Sequence, residues 1–147
     1  MYTIRLLKKN DYHKNYLQLL SQLTQCPKIS EEKFNKIYNL INLNKYHNIF
    51  VIENNNKIIA SITCLTEPKF FRNTKFVAYI EDVDVVVDPE NRGKGIAKLL
   101  NSHVINYSKN NNCYKIILNC SNDYISFYSK FGFKSKNKEM SLYGVDV

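Results

Sequence analysis

Residues 79–97 constrain the fold more than any other stretch of the chain. Val83, Val85, Val86 and Val87 form a β-branched run that stops at Asp88 and Pro89, a turn containing Gly93 and Gly95 follows, and Ile96, Leu99, Leu100, His103, Val104 and Tyr107 then recur at helical spacing. The pattern predicts a strand, a glycine loop and a helix. Main-chain N–H groups converge at such a junction on the positive end of the helix dipole, which suits a phosphate or pyrophosphate. Gly93 and Gly95 permit positive φ and let a ligand approach without Cβ interference. The loop reads Arg92-x-x-Gly95-x-Ala97, so it is neither a Walker A loop nor a G-x-G-x-x-G fingerprint. Taken alone, it also fits an ordinary glycine turn ahead of a helix.

Upstream, residues 2–7 alternate weakly and predict a first strand. Asp11 caps a helix with Tyr12, Tyr16, Leu19, Leu20 and Leu23 on one face, and Pro27 closes it. Ser30, Glu31 and Glu32 open a second helix whose buried stripe is Phe34, Ile37, Tyr38 and Ile41. Residues 48–53 and 57–66 are β-rich runs joined by Asn54, Asn55 and Asn56, which predicts a hairpin. After the central junction, residues 114–120 read as a buried strand. Residues 122–131 read as a short helix with Tyr124, Phe127, Tyr128 and Phe131 on one side, Gly132 ends it, and 133–143 make a last strand. The expected order is β-α-α-β-β-β-α-β-α-β, an α/β chain with a mixed sheet and helices on both faces.

At 147 residues this is the length of one domain with its own core. The formal charge of +8 asks for an anionic partner, yet the lysines are scattered with no dense basic block. That distribution favours a phosphate-bearing small molecule over nucleic acid. Cys26, Cys64, Cys113 and Cys120 show neither CxxC spacing nor a disulfide framework, and no signal peptide or membrane-length apolar run stands in the sequence. A cytoplasmic protein, with no membrane partner, is expected.

The loop, behind its Val-rich strand and Asp-Pro turn, resembles the acetyl-CoA loop of the GNAT acetyltransferase superfamily, and the order of elements is similar to that fold. Other segments resemble its amino-sugar branch, the glucosamine 6-phosphate N-acetyltransferases. They are Leu20, Ser21, Gln22, Leu23 and Thr24; Glu67, Lys69, Phe70, Phe71 and Arg72; Ile80, Glu81 and Asp82; Asn112, Cys113, Tyr114, Lys115 and Ile116; and Phe127, Tyr128, Lys130, Phe131, Gly132 and Phe133. The resemblance covers nearly the whole chain. It implies a mostly antiparallel GNAT sheet, and acetyl transfer from acetyl-CoA to the amine of D-glucosamine 6-phosphate for UDP-N-acetylglucosamine synthesis. It also implies a homodimer that needs no metal.

The same resemblance implies a site, residue by residue. The main chain of Val85, Val86 and Val87 bonds the pantetheine arm and polarises the thioester carbonyl. Arg92, Gly93, Lys94, Gly95, Ile96 and Ala97 hold the pyrophosphate, and Asn122 touches the CoA arm. Tyr128 contacts the cofactor and protonates the departing sulfur; read from its residues alone, it is a core tyrosine on an amphipathic helix. Thr24, Lys69, Phe70, Arg72, Glu81, Asp82, Asp84, Lys115 and Asn119 line the acceptor side. Loop spacing favours Asp84 as the acidic group and the Ile-Glu-Asp string favours Asp82; strand parity puts both on one face unless a bulge intervenes. Asn119 cannot act as a general base at neutral pH, since an amide does not take a proton there. Two other readings stay open: a GNAT enzyme for a polyamine, a protein N-terminus or a lysine, and a CoA-binding module without catalysis.

Overall fold

Strand β2 (His47–Asn54) buries both of its faces, and this divides the interior in two. Phe50 and Ile52 point into one core while Ile49 and Val51 point into the other, as the two-residue period of a strand dictates. The computed structural model describes residues 2–144, without the side chains of residues 82–86. Its sheet runs β1 (Ile4–Leu6), β2, β3 (Lys57–Pro68), β4 (Phe76–Val87) and β5 (Cys113–Leu118) in that spatial order. The first three pairings are antiparallel and β4–β5 is parallel. The mixed, mostly antiparallel sheet is as expected.

Helix α4 (Ile96–Asn110) covers one face, with Ile96, Leu100 and Val104 buried against Phe50, Ile52, Ala60, Ile62 and Ile80. Helices α1 (Tyr16–Leu20) and α2 (Glu31–Leu43) cover the other, where Tyr16, Leu19 and Phe34 meet Ile49, Val51 and Ile58. Ser30 caps α2 as expected, its Oγ accepting the Lys33 N–H at 3.2 Å. The stripe on α2 is narrower than expected, since Ile37 lies more than half exposed. Asn55 and Asn56 both adopt positive φ in the hairpin between β2 and β3, the twist that a two-residue turn needs.

Three local expectations are corrected. No continuous helix follows Asp11: a 3₁₀ turn (Lys9–His13) precedes α1, and Asn15 between them is left-handed at φ 64°. Asp11 caps only that turn, accepting the Lys8 N–H; its carboxylate is buried and takes both Nη1 and Nη2 of Arg5 at 2.8 Å. Strand β5 ends at Leu118, leaving Asn119 and Cys120 outside it. Residues 133–143 are not a strand: they pair with no strand among the described residues, so no ladder satisfies their backbone, and Met140, Leu142 and Tyr143 stand exposed.

The pairing of β3 with β4 slips near the site. Ser61 faces Val86 and Thr63 faces Glu81, so two steps along β3 correspond to five along β4. The extra residues make a bulge that interrupts strand alternation. The parity argument for Asp82 and Asp84 therefore does not carry through this stretch, and their side chains lie outside the described residues.

Candidate active site

The donor side starts from a mismatch in strand length. β4 and β5 pair in parallel from Phe76 with Cys113 to Ile80 with Leu118, where β5 stops while β4 runs on to Val87. Past Ile80, β5 offers β4 no partner. An unmatched strand edge can hold an extended amide-bearing ligand as though it were an added strand. Val85, Val86 and Val87 lie on this part of β4; the Val87 side chain is buried in the core under α4, while those of Val85 and Val86 lie outside the described residues.

The loop that follows is clamped at its foot. The Asp88 N–H donates to Ile59 O at 2.7 Å, and its carboxylate accepts Lys57 Nζ at 3.0 Å and Asn91 Nδ2 at 3.1 Å. Burial alone would raise the Asp88 pKa, but those two bonds, together with the Lys57 charge and a main-chain bond from Glu90, hold the carboxyl below its ordinary value. Gly93 and Gly95 adopt φ of +77° and +76°. A Cβ at either would meet nothing within 4 Å, so backbone conformation, not packing, calls for glycine. Gly95 caps α4 with no side-chain hydrogen bond, and Leu99 is the first residue whose N–H returns to the helix, at Gly95 O. The first-turn amides of Ile96, Ala97 and Lys98 thus precede the helical ladder at the positive end of α4, which fits a pyrophosphate. Arg92 and Lys94 stand exposed on the same loop.

The side chains expected on the acceptor side come from two segments. Lys69, Phe70, Phe71 and Arg72 come from the link between β3 and β4, and Tyr114 and Lys115 from the start of β5. The Tyr114 ring is the shelf they share: Arg72 Cζ lies 5.5 Å from its centroid, Lys115 Nζ 5.7 Å, and Phe71 meets it edge-on at 6.4 Å. Lys69 Nζ reaches within 5.9 Å of the Phe71 ring. Phe70 is 98% exposed. The link holds this shape at a cost. In α3 (Phe71–Thr74), a single turn, Arg72, Asn73 and Thr74 all have positive φ of 56–60°, which disfavours each non-glycine residue by about 1 kcal/mol. Lys69 N–H to Lys75 O at 3.1 Å closes it.

The cations of this shelf are not equivalent. Lys69 Nζ donates to Glu67 Oε2 at 2.6 Å, and the Tyr79 hydroxyl donates to the same oxygen at 2.9 Å. The bond from Lys69, then the one from Tyr79, lowers the Glu67 pKa, and the reciprocal bond raises that of Lys69. Lys69 is balanced by its own carboxylate, which leaves Arg72 and Lys115 as the shelf's cations that pair with no acid among the described residues. Glu67 stands in the resembling segment, but its pairing with Lys69 was not read from sequence; the signal was its place two residues before Lys69, at the end of β3.

The remaining expected residues scatter more widely. Tyr128 is buried on α5 (Ile125–Ser129), its ring edge-on to Phe127 at 5.0 Å and to Phe133 at 6.0 Å. Asn119 is exposed one residue beyond β5, and Asn122 opens the exposed turn Asn122–Tyr124. Glu81 lies on β4 opposite Thr63, and Thr24 is exposed in the link from α1 to α2. The described contacts do not bring Thr24 to the shelf.

Known proteins resemble the chain along nearly its whole length. A model of the acetyltransferase (GNAT) family matches residues 14–133. The glucosamine 6-phosphate N-acetyltransferase of Arabidopsis thaliana is 37% identical over 97% of this chain and 96% of its own. Glucosamine 6-phosphate N-acetyltransferase 1 of Oryza sativa subsp. japonica is 35% identical over 97% of this chain and 87% of its own. The crystal structure of the Arabidopsis thaliana enzyme superposes with a TM-score of 0.90, at 36% identity, covering 97% of this chain and 98% of that one.

Proposed function

Because the chain belongs to the acetyltransferase (GNAT) family, we propose that it transfers the acetyl group of acetyl-CoA to the amine of D-glucosamine 6-phosphate, giving N-acetylglucosamine 6-phosphate. The product serves UDP-N-acetylglucosamine synthesis in the cytoplasm. The observation that carries the acceptor is the cationic shelf, where Arg72 and Lys115 flank the Tyr114 ring. A phosphosugar brings a dianion and an apolar ring face, and this shelf matches both. A polyamine or a lysine acceptor would call for carboxylates there instead. The near full-length match to relatives that bear this name supports the same reading.

The chemistry distributes over the chain as follows. The pyrophosphate rests on the amides of 92–97, with Arg92 and Lys94 beside it, and the pantetheine arm runs along β4 past Ile80, bonded by the main chain of Val85, Val86 and Val87 with Asn122 flanking it. The acceptor nitrogen attacks the thioester carbonyl carbon; the C–N bond forms, the C–S bond breaks, and the amine gives up one proton. Asp82 or Asp84, directly or through water, takes that proton, while Asn119 contributes only hydrogen bonds. The Tyr128 hydroxyl supplies the proton that the departing sulfur needs. Thr24, Phe70 and Glu81 complete the acceptor side. No metal enters this scheme.

The protein is a homodimer in this reading. Two features support it: among the described residues β5 pairs only with β4, and the tail over 133–143 exposes Met140, Leu142 and Tyr143. Sedimentation at working concentration gives twice the mass of the 17.3 kDa chain; a monomer with intact activity removes the dimer from the scheme. The acceptor is tested by thiol release from acetyl-CoA with a panel of amines. Glucosamine 6-phosphate is turned over efficiently, with glucosamine, spermidine and a lysine peptide far behind; preference for any of these would overturn the assignment.

A further inference from the structure

We propose that Gln22 is a positioning residue for the donor loop, holding the Arg92 guanidinium in place through a neutral oxygen so that its charge stays available to the ligand. The inference rests on reading the loop as the pyrophosphate cradle. Each of the loop's two cations is held by an amide: Arg92 Nη2 donates to Gln22 Oε1 at 2.6 Å, and Lys94 Nζ donates to Asn91 Oδ1 at 3.3 Å. Guanidinium and ammonium groups can only donate, so each contact fixes which end of the amide faces it. The carboxylate at the foot of the loop, Asp88, is turned to Lys57 and Asn91.

Gln22 is not part of the loop. It sits in the turn after α1, where its N–H donates to Leu19 O at 3.3 Å and the next N–H, of Leu23, donates to Leu20 O at 3.0 Å. Leu23 packs into the core shared by α1 and α2, so the amide is carried on an anchored turn. On the loop side, Arg92 Nε also reaches Val87 O at 3.4 Å. The guanidinium is therefore tied at both ends before any ligand arrives, and the acceptors are an amide and a main-chain carbonyl. A carboxylate in place of Gln22 would orient Arg92 as well and bind it more strongly. It would also cancel the charge that a pyrophosphate must meet. Orientation without neutralisation is what an amide supplies.

This separates the proposed role from a merely structural one, because the two rank the same variants in opposite order. Gln22→Glu keeps the bond and adds a negative charge; Gln22→Met removes the bond and keeps the loop cationic. Binding of CoA and of pantetheine is measured by calorimetry, with melting temperatures alongside. The expected result is that Gln22→Glu weakens CoA by about tenfold and Gln22→Met by about threefold. Gln22→Glu melts no lower than Gln22→Met, and pantetheine, which lacks the pyrophosphate, binds all three proteins alike. A Gln22→Glu protein that binds CoA as tightly as the parent overturns the inference, as does an equal loss for pantetheine. The measurement needs no acceptor. The expected order of CoA affinities without glucosamine 6-phosphate turnover overturns the acceptor reading alone, and normal turnover with unchanged CoA affinities overturns this inference alone.

Discussion

The donor loop and the acceptor shelf lie at either end of β4 and are built from different materials. The loop is main chain: Gly93 and Gly95 at positive φ, an α4 N-terminus with no side-chain cap, and a strand edge that outruns its neighbour. The shelf is side chains, with Arg72 and Phe71 brought from one segment and Tyr114 and Lys115 from another some forty positions on. A main-chain site tolerates most side-chain changes around it and fails when a glycine is lost. A side-chain site fails one residue at a time, and only for the substrate group that the residue meets.

The largest effect is expected at the reaction itself, between the two. Tyr128→Phe removes a hydroxyl and leaves the ring contacts with Phe127 and Phe133 in place. Stability and CoA affinity should change little, while kcat and kcat/KM fall together by about 10²- to 10⁴-fold. A folded variant with the parent rate would make Tyr128 a packing residue and hand the proton to water.

Next comes the loop. Gly95→Val forces a β-branched residue to φ +76°, a penalty of about 1–2 kcal/mol on the local conformation. CoA affinity should drop by about 10- to 100-fold by calorimetry while the KM for the acceptor holds. Equal losses for donor and acceptor would mean that the two regions are not separable. The smallest effect belongs to the scaffold that both share. Hydrogen bonds from Arg5 and then Lys14 lower the Glu53 pKa from 4.5 to about 2. A depressed carboxyl contributes stability that is fully present above its unfolded value and lost as pH falls through the folded one. The melting temperature should therefore slip between about pH 4.5 and pH 2, and Glu53→Gln should flatten that limb; a limb unchanged in the variant would assign the acid loss to other carboxyls.

Legibility in the sequence followed the same division. The loop was readable because glycine spacing, a β-branched run and a helical period follow one another without a break over residues 79–107. The Asn55–Asn56 hairpin and the Ser30 cap were readable for the same local reason. What escaped depends on partners distant in the chain. The helix expected after Asp11 broke because Arg5 claims the carboxylate and Asn15 turns left-handed, its neighbour Lys14 O accepting the Ile58 N–H from β3. The segment expected as a strand over 133–143 carries six polar residues in a row, 134–139, and pairs with no strand among the described residues. The left-handed turn at Arg72, Asn73 and Thr74 carries no glycine to announce it. Gln22 stood in a segment noted for its resemblance, but nothing local ties residue 22 to residue 92.

The most direct test of the division is the ratio of kcat/KM for glucosamine 6-phosphate to that for glucosamine, measured in the parent and in Arg72→Ala. A charged hydrogen bond to phosphate contributes about 1.5–3 kcal/mol, so the parent ratio should be large and the substitution should reduce it by about 10- to 100-fold. The whole loss should fall on the phosphorylated acceptor, with glucosamine turnover and CoA affinity unchanged. An unchanged ratio in a folded Arg72→Ala protein, or an equal fall for both acceptors, would contradict a phosphate site on the Tyr114 shelf.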